Sequence, residues 1–157
     1  MVSPAFAQVL YKSTSEVGEK NYVPSAKLKE KVGKMAKGYV WGGENPEDKD
    51  FYQLKNGYIS YFQYVHYAHY RLIFDSKLNW IETQEYRHSD VQQEDEYHQL
   101  MPKMRKQIAT KKYTVGEGEN YIKVTNAKGY WYEIKASKGK DTKTFIFDKN
   151  LNIVKMQ

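Results

Sequence analysis

Cysteine is absent from the chain, and its absence removes several classes of protein at once. Without cysteine there is no disulfide framework, no thiol nucleophile and no thiolate metal site. The sequence also lacks a run approaching the roughly 18 apolar residues of a membrane-spanning helix. We therefore expect a chain without disulfide bonds and without a membrane span.

Recognisable catalytic motifs are missing as well. The sequence contains no G-x-S-x-G, no H-E-x-x-H and no glycine loop suited to phosphate. Its one paired glycine, Gly42-Gly43, precedes Glu44-Asn45-Pro46, which is turn chemistry rather than a nucleotide site. We predict a protein that is not an enzyme and that carries no cofactor.

Histidine is too sparse to build a clear metal site. His66 and His69 flank a predicted turn, whereas zinc needs three or four converging ligands, so we interpret them as solvated turn residues. A second set offers a cation site or a charged linker: His88, Asp90, Glu94, Asp95, Glu96 and His98. We favour the linker and predict no metal.

Tyrosine is the abundant residue, with 15 copies against six Phe and three Trp. Tyrosine favours strands and half-buried surfaces, where the ring packs and the hydroxyl stays in water. We therefore expect much sheet. A length of 157 residues allows one ordinary domain or two small ones that share a core.

The first residues have a composition of their own. Ala5-Phe6-Ala7 has the small-x-small form of a secretory cleavage site, which would make Gln8 the mature N-terminus. We expect residues 1–22 to be an N-terminal segment with a signal-peptide remnant, and the protein to be periplasmic or secreted. An ordinary flexible N-terminus is the alternative.

The formal charge of +6 is unevenly distributed. The stretch Glu82 to His98 carries six acids and one arginine, a local charge of −5 that leaves +11 elsewhere. Ten of the 25 basic residues lie in two segments with helical periodicity. Leu28, Val32 and Met35 share a face of the first, and Leu100, Met101, Met104 and Ile108 share a face of the second. We predict helices over Ser25–Lys37 and Leu100–Lys111, with Pro102 in the first turn of the second helix.

An internal repeat organises the chain. FDSKLNWIETQ from Phe74 matches FDKNLNIVKMQ from Phe147 at an offset of 73, and Gly57-Tyr58 matches Gly129-Tyr130 at 72. The hairpin turn evident at Ser137–Asp141 predicts a turn near His66–His69 in the first copy. We predict an α+β fold, a tandem duplication of a helix followed by an antiparallel β-meander of about four strands, with the helices packed on one face of the sheet. The first repeat spans residues 23–84, an acidic linker 85–98 and the second repeat 99–157.

Alternation along the strands assigns faces to the aromatic residues. In the second copy the buried set is Tyr130, Tyr132, Ile134, Phe145 and Phe147. Carried over to the first copy, this set becomes Tyr58, Phe62, Tyr64, Leu72 and Phe74. The residues left outside form the candidate sheet face: Ile59, Tyr61, Val65, Ile73 and Trp131. That is more apolar surface than a solvent-facing sheet needs.

This arrangement resembles the PepSY-like family of small exported bacterial proteins, which have a beta-lactamase-inhibitor-like fold. The matching segments are Val40-Trp41, Gly57-Tyr58, Ile73–Thr83, Leu100–Tyr113, Gly129–Glu133 and Phe145–Lys155. The resemblance covers residues 23–157, and the loop Gly42–Lys49 is longer and more polar than the family pattern. It implies a periplasmic or secreted domain without known catalysis, whose fold relatives inhibit enzymes by presenting one sheet face.

Two hypotheses of function follow. The first is a protein- or peptide-binding module that uses the candidate sheet face to bind an unidentified envelope or secreted partner. The alternative is an electrostatic binder of anionic envelope polymers or headgroups. Its basic helix residues are Lys27, Lys31, Lys34, Lys103, Arg105 and Lys106. In either case we expect a monomer or weak dimer that does not bind nucleic acid.

Overall fold

The computed structural model describes residues 19–36, 46–55, 57–65, 68–87, 95–117 and 119–157. The chain divides into two compact units, one extending to Thr83 and the other beginning at Gln84. Within the described residues there are two α-helices and nine strands, and each helix is followed by antiparallel strands. The predicted fold class, α+β with tandem helix–meander units, is confirmed.

The first unit contains one helix and a run of antiparallel strands. Its elements are β1 (Glu19–Asn21), α1 (Ala26–Ala36), a short 3-10 helix (Asp48–Asp50), β2 (Phe51–Leu54), β3 (Ile59–Val65), β4 (Ala68–Phe74) and the start of β5 (Trp80–Arg87). Strands β1 to β4 pair in chain order. The Ser25 hydroxyl accepts a hydrogen bond from the Leu28 amide at 3.2 Å and caps α1. The helix therefore begins where the sequence predicted it.

The second unit repeats the pattern. Its elements are α2 (Asp95–Thr110), β6 (Ile122–Asn126), β7 (Gly129–Lys138), β8 (Asp141–Phe147) and β9 (Ile153–Met156). Strands β6 to β9 pair antiparallel in chain order. The predicted turn within Ser137–Asp141 is confirmed, since Lys138 pairs with Asp141 across Gly139 and Lys140.

The predicted start of α2 at Leu100 is wrong, because the helix begins at Asp95 and places Pro102 in its interior. Acidic residues are favourable in a first helical turn, since its free amides carry partial positive charge. Asp95 and Glu96 therefore belong to α2. Strand β5 continues to Arg87, so both ends of the predicted linker 85–98 lie in regular secondary structure.

Each helix packs on one face of the strands in its own unit. In the first unit Leu28, Val32 and Ala36 meet a cluster from the strands: Phe51, Ile59, Tyr61, Tyr70, Leu72 and Phe74. In the second, Met101, Met104 and Ile108 meet Tyr132, Ile134, Ala136, Phe145 and Phe147. The buried set predicted for the second copy is thus confirmed, with Tyr130 partly buried at its margin.

The buried set predicted for the first copy is wrong along β3. Ile59 lies opposite Phe74 and Tyr61 opposite Leu72, so Ile59 and Tyr61 face α1 while Phe62 faces away. A displacement of one residue moves every side chain to the other face of a strand. The match of Gly57-Tyr58 to Gly129-Tyr130 at an offset of 72 placed the β3 residues one position out of register. In the structure Ile59 pairs with Phe74 as Tyr132 pairs with Phe147, so the correct offset is 73 on both strands.

The matching segments that begin at Phe74 and Phe147 both start with the same turn. Asp75 Oδ1 accepts hydrogen bonds from the backbone amides of Lys77 and Asn79, each at 2.9 Å. Asp148 Oδ1 does the same for Asn150 and Asn152 at 2.9 Å. The repeated Asp-x-x-Leu-Asn sequence is therefore a turn with a defined hydrogen-bond pattern.

The leucine of each turn connects the turn to the helix of its unit. Leu78 and Leu151 have left-handed backbones, with φ of 67° and 63°. Lys31 Nζ donates a hydrogen bond to the Leu78 carbonyl at 2.7 Å, and Gln107 Nε2 donates one to the Leu151 carbonyl. Lys31 and Gln107 follow Leu28 and Met104 by three residues, so the two contacts are equivalent.

Candidate functional site

The candidate sheet face is not exposed. Ile59 and Tyr61 belong to the core beneath α1, with Tyr61 2% exposed. Ile73 and Trp131 lie outside both helix-facing clusters but are also buried, at 0% and 3% exposure. The side chain of Val65 lies outside the described residues. The expectation that these residues form a solvent-facing apolar surface is therefore wrong.

Polar side chains share the sheet faces that point away from the helices. Trp131 Nε1 donates a hydrogen bond to Glu133 Oε2 at 3.2 Å, and Glu133 is buried. In the first unit the buried Arg71 lies 5.6 Å from the ring centroid of Phe62, its cross-strand neighbour. A buried charge requires partners that compensate for lost hydration. Trp131, Glu133 and Arg71 are therefore buried on these faces, and the tryptophan is hydrogen-bonded inside the protein.

Large apolar side chains are rarely exposed in the described part of the chain. Val23, at 82%, and Met156, at 38%, are the two large hydrophobic residues exposed there. They belong to different units. The described surface thus offers charge rather than apolar area for recognition.

The basic residues of α1 are largely occupied by contacts within the protein. Lys31 donates to Leu78, and Lys34 pairs with Glu30 at 2.7 Å, which holds the pKa of the Glu30 carboxyl below its usual range. Lys29 pairs with Asp48. Lys27 is exposed. Of the three α1 residues predicted for an anionic surface, Lys31 is structural, Lys34 is ion-paired and Lys27 remains accessible.

The basic residues of α2 differ from those of α1. Lys103, Arg105 and Lys106 are exposed, and none forms an ion pair with the described residues. Lys103 and Lys106 are three residues apart on the helix, which places them on one face. Met104, which lies between them in the sequence, packs into the core instead. Lys103 and Lys106 therefore present their charges together to solvent, and Arg105 is exposed on a different side of the helix.

Charge is divided sharply between the repeats. Residues 99–157 contain thirteen basic and five acidic residues, a net of +8, whereas residues 23–84 contain nine and seven, a net of +2. Most of the positive charge excess of the two repeats thus lies in the second repeat. Counting charge by repeat rather than by helix would have found this from the sequence.

Metal ligation has no support in the described residues, which hold no group of three or more His, Asp or Glu placed to bind an ion. His66, His88, Asp90 and Glu94 lie outside those residues, as do Ala5 to Gln8 of the expected cleavage site. The helices of the described part include none both long and apolar enough to span a membrane.

Searches with protein-family models, among curated proteins and among solved structures gave no match to this chain.

Proposed function

We propose that the protein is a non-catalytic module that binds an anionic polymer through the exposed basic face of α2. The observation that carries the proposal is the set Lys103, Arg105 and Lys106, which is solvent-exposed and free of ion pairs to described residues in a repeat of net charge +8. Binding by such residues gains from the release of counterions held on the polymer. The first repeat, at +2, contributes a much weaker field.

The other sequence-based hypothesis, a protein partner on the sheet face, has less support. Four of its five residues are buried, so a partner would have to open the fold to reach them. We retain the likeness to PepSY-like exported proteins, and a periplasmic or secreted location, as part of the proposal. An envelope location would supply anionic polymers. N-terminal sequencing of the native protein tests export, and a mature chain that begins at Met1 would contradict it.

The binding test uses fluorescently labelled dextran sulfate and anisotropy. For a flexible polyanion, the slope of log affinity against log salt concentration decreases in magnitude by about 0.7 for each basic contact removed. Three contacts from α2 therefore predict a slope of about −2, or roughly a 20-fold loss of affinity for a fourfold rise in salt. Lys103→Glu/Lys106→Glu should lower affinity and flatten this slope.

The matched control is Lys20→Glu/Lys27→Glu, which replaces two exposed lysines of the first unit and changes the net charge by the same amount. It should bind nearly as the unaltered protein does. Equal weakening by both double variants would show that total charge matters and α2 does not, and the proposal would be abandoned.

A further inference from the structure

A second group of lysines lies at the far end of the second unit. Lys111 and Lys112 directly follow α2, and Lys138 and Lys140 lie at the turn between β7 and β8. All four are exposed and have no ion pair to described residues. These four residues and Lys143, on β8, are called the tip cluster here.

Three contacts bring the two parts of the tip cluster to the same place. The segment after α2 pairs with β7 through Thr114 and Ser137, whose backbone hydrogen bonds are 2.8 and 2.9 Å. The Tyr113 ring packs edge-on against Phe145 at 5.3 Å, and its hydroxyl donates to Asp141. Lys112 therefore precedes a residue that is fixed against the hairpin.

The strand register places the hairpin lysines on the side of α2. Ile134 and Phe145 face α2, and alternation puts Lys138, Asp141 and Lys143 on that same face. Lys138 lies directly across from Asp141. Gly139, with φ of 60°, forms the two-residue turn that leaves Lys140 at its outer end.

The backbone at Lys112 is unusual for a lysine. The amides of Lys112 and Tyr113 donate to the carbonyls of Ala109 and Ile108, at 2.9 and 3.4 Å, which is the Schellman pattern of a helix end. Lys112 has a φ of 65°, and this left-handed position at a helix end is usually occupied by glycine.

We propose that the tip cluster is a second anchoring site for the polymer that α2 binds, and that the polymer is a linear anionic polysaccharide. This inference rests on the proposed function. Along α2, Lys103 and Lys111 are about 12 Å apart. One flexible chain can therefore contact both sites, and the second contact benefits from the high effective concentration that the first creates.

The chemistry of the cluster favours a polysaccharide over other polyanions. Its charged members are all lysines, compact charges that do not require the planar geometry of arginine. Single-stranded nucleic acid binds with aromatic stacking surfaces, and Tyr113, the ring beside the cluster, is buried. Membrane-surface binding draws on exposed apolar side chains, whereas Val23 and Met156 lie outside the cluster.

The experiment measures binding of long and short dextran sulfate at several salt concentrations. Lys138→Glu/Lys140→Glu should reduce the salt slope for the long polymer by about 1.4 in magnitude. A short chain that occupies one site should gain nothing from the second, so its affinity should change less. Asp141→Asn removes the carboxylate that neighbours the tip cluster and should tighten binding about two- to fivefold. A merely structural role for Asp141 predicts no tightening.

The outcomes separate this inference from the proposed function. If only Lys103→Glu/Lys106→Glu weakens binding, the tip cluster is not a site and the proposed function stands. If only the tip variant weakens binding, the tip site stands and the α2 assignment fails. If neither does, both are wrong. Stronger binding to single-stranded DNA or to anionic vesicles than to dextran sulfate would overturn the assignment to a polysaccharide. Urea midpoints equal to that of the unaltered protein verify folding of each variant.

Discussion

The orientation of β3 leads to a sharp prediction about two adjacent aromatic residues. Tyr61 is 2% exposed and packs beneath α1, with ring centroids 5.1 Å from Phe51 and 6.2 Å from Tyr70. Phe62, the next residue, points to the opposite face and is only partly buried. Tyr61→Ala should lower the free energy of unfolding by about 3 to 5 kcal/mol, as removal of a buried ring does. Phe62→Ala should cost clearly less.

Urea unfolding followed by far-ultraviolet circular dichroism measures both variants. Tyr61→Phe isolates the hydroxyl, which donates to Gln63, and should cost about 0.5 to 1.5 kcal/mol. Trp131 is buried in the second unit, so Trp131→Ala should also be strongly destabilising. If Phe62→Ala proves more costly than Tyr61→Ala, β3 faces the other way and the register described here is wrong.

Three further predictions concern the helix ends and the repeated turn. Lys112→Gly should raise stability by about 1 kcal/mol, because glycine adopts a left-handed backbone freely. The same substitution should weaken polyanion binding. A fall in the urea midpoint would contradict the stability prediction. Lys31→Gln should preserve the bond to the Leu78 carbonyl, whereas Lys31→Ala should cost about 1 to 3 kcal/mol, and equal urea midpoints would refute this. Hydrogen bonds, chiefly from the Asn79 side chain, lower the pKa of Asp75. Its contribution to stability is therefore present above the unfolded pKa of about 3.9 and lost as the pH falls through the folded value. Urea midpoints between pH 6 and 2 should fall less for Asp75→Asn than for the unaltered protein.

Local sequence signals predicted the elements well where each signal had one reading. The apolar spacing of Leu28 and Val32 with Ser25 before them gave α1, and Gly139 between two strands gave the β7–β8 turn. The duplicated segments at Phe74 and Phe147 gave the repeat. In each case a short-range pattern determines the structure directly.

The faces of β3 were harder to predict for a physical reason. Rings occur at the adjacent positions Tyr61 and Phe62, on opposite faces of the strand, so alternation of apolar and polar residues carries almost no information there. The exposure of lysines was likewise hidden, because only the fold reveals that Lys31 is bound by a distant carbonyl while Lys103 is not. Such contacts join residues 47 positions apart and leave no local pattern.

The equivalent helix-to-turn bonds have a consequence for how the two halves have diverged. Lys31 and Gln107 are 76 positions apart, while the leucines they bind are 73 apart, so the connection between helix and turn changed length by three residues and the contact survived. Insertions and deletions are thus tolerated in the connecting loops, provided that a donor remains on the helix. The donor is a charged lysine in one half and a neutral glutamine in the other. A chimera that carries the helix of one half in place of the helix of the other should fold if the loop between helix and strands comes from the half that supplies the strands.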